Sequence, residues 1–172
     1  EGVEFIANMP TEEIFTLPVR NGVNGVAVSS MPLNFNGNII DNFRLEFRNG
    51  RIVSYSAGKG LETLKTIVEM DEGSHYLGEV ALVPANSPLS KSKILFYNTL
   101  FDENASCHLA IGKAYPSCIK GSEGYGREEL EKAGVNDSLI HVDFMIGTED
   151  LDITGIKASG EEVPVFKHGC FV

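Results

Sequence analysis

The sequence predicts an α+β domain with a largely antiparallel β-sheet and about three helices, on three observations. Strand-like runs follow one another instead of alternating with helical periods, which argues against a Rossmann-type layer. An Asn49-Gly50 pair separates two alternating apolar runs, the mark of a type I′ hairpin. The 172 residues, 42% of them hydrophobic, suffice to bury ~70% of the unfolded chain's surface around a single core.

The elements follow in order. Apolar alternation gives strands at Val3–Ala7, Gly25–Ser29, Asn42–Arg48 and Arg51–Ala57, the last two joined by the Asn-Gly turn. Leu61–Met70 carries a helical period. Glu79–Val83 is a continuous apolar run headed by a carboxylate and stopped by Pro84, as a buried strand would be. A helix is expected at Ala105–Tyr115, and another at Arg127–Ala133, where Gly134 supplies the stop. Leu139–Ile146 and Val163–Lys167 complete the strands. Gly121–Gly126 lacks the lysine and Ser/Thr of a phosphate loop and reads as a flexible loop near a cavity entrance.

Charge and cysteine usage narrow the function classes. A net charge of −10 repels phosphates, so neither nucleic acid nor an anionic membrane is an expected partner. Cys107, Cys118 and Cys170 are odd in number and form no C-x-x-C pair, which suits a reduced, cytoplasmic setting. No stretch reads as a signal peptide, a membrane span or a lipidation site. The chain opens at Glu1 without methionine and runs at once into VEFIA, so it is expected to be part of a longer protein.

Four segments carry chemistry. Phe101–Tyr115 reads FDENASCHLAIGKAY. On a helix capped by Asn104, Glu103 would lie at the N-terminus and His108 and Tyr115, seven apart, would share a face. Carboxylate and imidazole together suit zinc, manganese or cobalt, whereas a single histidine on a helix is as ordinarily a hydrogen-bonded core residue. In LIHVDFMIG, strand alternation sets His141 and Asp143 on one face and Val142, Phe144 and Ile146 on the other. H-x-D there is either a chelating pair or a histidine oriented by its neighbour. Glu79, bordering an apolar strand, needs a partner, and a divalent cation is the strongest available. Glu12 and Glu13 follow Pro10 in a turn, where adjacent glutamates are normally solvated. His75 and His168 read as surface or hydrogen-bonding residues.

Taken in order, NMPTEEIFTLP, DEGSHYLGEVALVP, TLFDENASCHLAIGKAY and HVDFMIG resemble the thermophilic-type metallo-aminopeptidases of family M29, the aminopeptidase T and aminopeptidase S group, from about Asn8 to the C-terminus. The resemblance implies metal ligands at Glu13, Glu79, Glu103, His108, His141 and Asp143, with Glu12 the rival of Glu13 and with Tyr115 a catalytic-site residue. It implies two divalent cations, zinc or cobalt with manganese or magnesium as alternatives, and a bridging role for Glu79 at the catalytic centre. Such a pair makes hydroxide available near neutral pH to attack a peptide carbonyl, and it can select a free α-amino group. On this reading residues 1–172 are the C-terminal metal-binding catalytic domain, the substrates are peptides with a free N-terminus, and an absent N-terminal domain and a homodimer partner enclose the cavity.

Two other classes compete. A serine or cysteine hydrolase finds no G-x-S-x-G elbow, and Cys107 and His108, as helix neighbours, would point ~100° apart. A non-catalytic metal- or ligand-binding module differs from a peptidase in lacking an open coordination position.

Overall fold

A computed structural model describes residues 11–172, so the strand expected at Val3–Ala7 lies outside the described residues. The chain runs β1 (Ile14–Thr16), β2 (Gly25–Val28), β3 (Leu33–Phe35), β4 (Asn38–Arg48), β5 (Arg51–Lys59), α1 (Leu61–Val68), β6 (Leu77–Leu82), α2 (Pro88–Ser92), α3 (Thr99–Asp102), β7 (His108–Gly112), α4 (Arg127–Lys132), β8 (His141–Met145), β9 (Ile153–Ile156), β10 (Glu162–Lys167) and β11 (Cys170–Phe171). Every strand pairing is antiparallel, among the described residues. The α+β class with antiparallel sheet is as the sequence predicts.

Three sheets form: β1-β6-β7-β8; β2-β4-β3 with β5 on β4; and β11-β10-β9. The hairpin β4–β5 turns through Asn49 and Gly50, both at positive φ (48° and 81°), which is what a type I′ turn requires. The first two sheets share one core. Phe43 and Leu45 of β4 and Leu64, Ile67 and Val68 of α1 pack with Leu77, Ile111, Val142 and Phe144 of the other sheet, and the Phe43 and Phe144 rings lie 5.4 Å apart. Val142 and Phe144 thus face the core, and Ile146 packs against it, as alternation predicts.

The helix expected at Ala105–Tyr115 is not formed. Thr99–Asp102 is a short helix capped by the Asn98 side chain, Glu103–Ala105 is one 3₁₀ turn, and His108–Gly112 is the central strand β7. The physical reason is tertiary. β7 bonds to β6 on one side and β8 on the other, and its alternation sets Ile111 in the apolar core and His108 and Ala110 on the opposite face. Glu103 consequently stands at the C-terminal end of α3 rather than at a helix N-terminus, and Asn104 sits inside the 3₁₀ turn rather than capping a helix. Cys107 lies buried just before β7, with its Sγ against the Val83 backbone.

Candidate metal centre

Register alone assembles most of the site. Glu79 opposes Ala110, and Ala110 opposes Asp143, so a carboxylate from each strand beside β7 flanks a fully buried alanine on it. The next row on that face is Phe15, Ala81, His108 and Met145. His141 lies two residues before Asp143 on the same face of β8. Where a longer side chain at position 110 would fill the middle of the row, alanine leaves room between the acids.

Glu13 joins from the residue before β1. Asn104, with no exposed surface, accepts a hydrogen bond from the Glu12 backbone N–H at 2.8 Å and donates to the Leu100 carbonyl at 3.2 Å, tying the Glu12–Glu13 stretch to the turn after α3. Contrary to the solvated turn expected there, the Glu13 side chain is only 6% exposed. Its Oε2 lies 3.0 Å from His108 Nε2, which is also 3.3 Å from Glu79 Oε1. His141 Nε2 lies 3.8 Å from Glu79 Oε2 and 3.2 Å from Asp143 Oδ1.

These atoms fall into two groups of mutually close ligand atoms, Glu13 with Glu79 and His108, and Glu79 with His141 and Asp143. Glu79 belongs to both. Glu12 belongs to neither. Glu103 is buried and lines the same cavity, outside both groups. Tyr115 comes from the segment after β7 instead of a helix, yet it reaches the cavity, its ring centroid 4.8 Å from that of His141. His75 and His168 take no part among the described groups, and no residue of Gly121–Gly126 lines this cavity.

The chemistry of the donors fits divalent cations. Glu13 Oε2, His108 Nε2 and Asp143 Oδ1 are buried and make no hydrogen bond despite their short separations. Buried polar atoms are ordinarily satisfied, so three convergent exceptions call for a partner that takes lone pairs from all of them. Both imidazoles are prepared for this, since His108 Nδ1 faces the Ser106 carbonyl at 3.0 Å and His141 Nδ1 faces the Lys113 carbonyl at 2.6 Å. A carbonyl on Nδ1 holds the proton there and turns the Nε2 lone pair toward the centre. Those two carbonyls are supporting groups that sequence reasoning did not find, because backbone acceptors leave no residue-type signal; Asn104, expected as a helix cap, supports the site instead through its side-chain amide.

Without a cation, protons take its place. Burial opposes charge on His108, but the carboxylates of Glu13 and Glu79 raise its pKa to about 11. Burial likewise opposes charge on His141, and Asp143, the Lys113 carbonyl and Glu79 raise it to about 9. Tyr115 is pushed up by burial and by the charges of Asp143, Glu79 and Glu103, so its hydroxyl keeps its proton at neutral pH.

Gly78 adjoins Glu79 at a register shift in the β6–β7 ladder. A Cβ there would collide with the Lys113 carbonyl, the oxygen that holds His141. Gly78→Ala is therefore expected to cost ~1–3 kcal/mol of stability through overpacking and to weaken cation binding, as checked by denaturation and metal titration of the same variant.

A buried two-part cluster of carboxylates and imidazoles on an antiparallel sheet defines a candidate metal-binding protein. Comparison with known proteins makes this particular: the thermophilic metalloprotease (M29) family profile matches residues 1–171, and the chain belongs to that family. It is 62% identical over 168 residues to aminopeptidase AmpS of Bacillus subtilis, covering 98% of this chain and 41% of that one. It is 44% identical to aminopeptidase T of Thermus aquaticus, covering 96% and 40%. The structure of wild-type AmpT from Thermus thermophilus superposes with a TM-score of 0.89 at 43% identity, over 96% of this chain and 40% of that one. The chain thus spans about two-fifths of the length of these relatives. No helix among the described residues is long and apolar enough to cross a membrane.

Proposed function

We propose that this chain is the metal-binding catalytic part of an aminopeptidase that releases N-terminal residues from peptides at a pair of divalent cations, zinc or cobalt in the first instance. One observation carries the reading: the two ligand groups share Glu79. Glu13 and His108 would hold one cation and His141 and Asp143 the other, with Glu79 within reach of both, and Glu103 would add a carboxylate from the cavity wall. Five or six protein ligands leave two such ions open positions, which a purely structural site would close.

When bound, the ions supply a water activated near neutral pH and a positive charge that draws a carbonyl oxygen. The protein's own residues do the rest. Ser106 and Lys113 hold the imidazole tautomers through their carbonyls. Tyr115, 44% exposed at the cavity edge with its hydroxyl protonated, donates to the oxygen that becomes negative as the peptide carbonyl is attacked. Aminopeptidases are what the relatives are named, and the remaining part of a longer polypeptide and a second copy are the partners this reading adds.

The experiment is hydrolysis of leucine anilide and its N-acetyl counterpart by the full-length protein, stripped and reloaded with zinc or cobalt. Cleavage of the unblocked substrate alone, and only after reloading, is expected. Tyr115→Phe should lower kcat by ~10²–10³ with cation content unchanged. A metal-loaded protein that cleaves neither substrate would favour the non-catalytic module.

A further inference from the structure

The cavity over the paired ligand groups measures about 630 Å³, within the range that encloses a small organic ligand. Its lining joins the ligand side chains to three large apolar groups, Phe15, Phe35 and Leu100, with Thr99 and Ser117 beside them. Phe15 opposes Ala81, which opposes His108, so the phenyl group stands on the ligand-bearing face two strands from the imidazole. Leu100 reaches the cavity from α3, one turn before Glu103, and Phe35 reaches it from the end of β3. Phe15 and Leu100 are 36% and 50% exposed. Apolar surface left exposed in a charged cavity favours a ligand group that covers it.

The charge pattern selects further. Among the described residues no lysine or arginine lines the cavity, and the carboxylates that do, Glu13, Glu79, Glu103 and Asp143, are as many as two dications neutralise. No positive charge is then left over for a side chain on the substrate. An acidic side chain entering this cavity would lose hydration and gain no partner.

Resting on the two-cation peptidase reading, we infer that Phe15, Phe35 and Leu100 form the pocket for the side chain of the substrate's N-terminal residue and select apolar residues over acidic ones. The ions hold the reacting end of the substrate, and the three apolar groups bear on the side chain that extends from it. Phe15 and Leu100 are specificity-determining residues here, with no part in the bond-breaking step.

The test compares kcat/KM for leucine, phenylalanine, alanine and glutamate p-nitroanilides on the full-length, metal-loaded protein. Leucine and phenylalanine are expected to exceed glutamate by ~10-fold or more. Leu100→Arg places a positive charge in the cavity lining and should raise the glutamate-to-leucine ratio by ~10-fold or more with cation content retained. Phe15→Ala adds no charge and should lower the phenylalanine-to-alanine ratio by ~10-fold, which keeps the test decisive if the arginine variant fails to fold. Unchanged ratios in active, metal-loaded variants would overturn the inference while leaving the peptidase reading intact. A wild-type protein that binds no cation or cleaves no substrate would overturn both.

Discussion

Glu79→Gln is expected to abolish binding of both cations together and to lower peptidase activity of the full-length protein by ~10³ or more, since two bound ions contribute several kcal/mol of barrier lowering. The amide has the size of the carboxylate and keeps the strand intact, but it is neutral and its nitrogen has no lone pair to offer a cation. Its position makes the effect larger than at any other ligand: Oε1 lies 3.3 Å from the His108 group and Oε2 3.8 Å from the His141 group. Glu149→Gln, which removes only the exposed ion pair with Lys93, should leave cation content and activity unchanged. Equal loss in the two variants would mean that general acidity, and not a shared ligand, governs binding.

Removal of the cations should lower the melting temperature by on the order of 10 °C or more at pH 7. A ligand at a thousand times its Kd stabilises by ~4 kcal/mol, two such ions act together, and a domain of this size moves ~2–4 °C per kcal/mol. The pH dependence has a definite sign. In the metal-free protein His108 and His141 have pKa values raised to about 11 and about 9, by Glu13 and Glu79 and by Asp143 respectively, against the effect of burial. Their contribution to stability is fully present below the unfolded value of ~6.5 and is lost as pH rises through about 9 and then about 11. Metal-free protein should therefore soften as pH rises from ~6.5 through about 9 and then about 11, while loaded protein, whose imidazoles carry cations instead of protons, should not. The gap between the two melting temperatures should widen with pH, and cation uptake at neutral pH should release protons. Differential scanning calorimetry of stripped and reloaded samples across this range checks both.

How legible the molecule was in its sequence differs by residue. The Asn49-Gly50 hairpin, the carboxylate-headed strand at Glu79 and the H-x-D strand were readable because each pattern is local: a turn needing two positive φ angles, and alternation with period two. The stretch around His108 was not, because Leu, Ala, Lys and Glu there favour a helix weakly while two flanking strands, distant in sequence, supply the hydrogen bonds that decide. A period-two signal was present in His108, Ala110 and Gly112 against Leu109 and Ile111, and was masked by the helix-forming composition. Tyr115 lines the cavity beside His141 from the segment after β7, not from the helix face shared with His108 that its spacing suggests. Glu13 was marked only by the family resemblance; nothing local distinguishes it from Glu12, and its burial depends on the distant Asn104. Ala110 carries no chemistry and no signal, although its small size gives the acids of Glu79 and Asp143 their common space.

The most direct test of the central claim is the number of zinc or cobalt ions bound per chain, measured by calorimetric titration of stripped protein beside the Glu13→Gln, Asp143→Asn and Glu79→Gln variants. Two ions in the wild type, one each in the Glu13 and Asp143 variants and none in the Glu79 variant is the expected result. One ion in the wild type, or the same loss in all three variants, would contradict a pair of sites joined through Glu79.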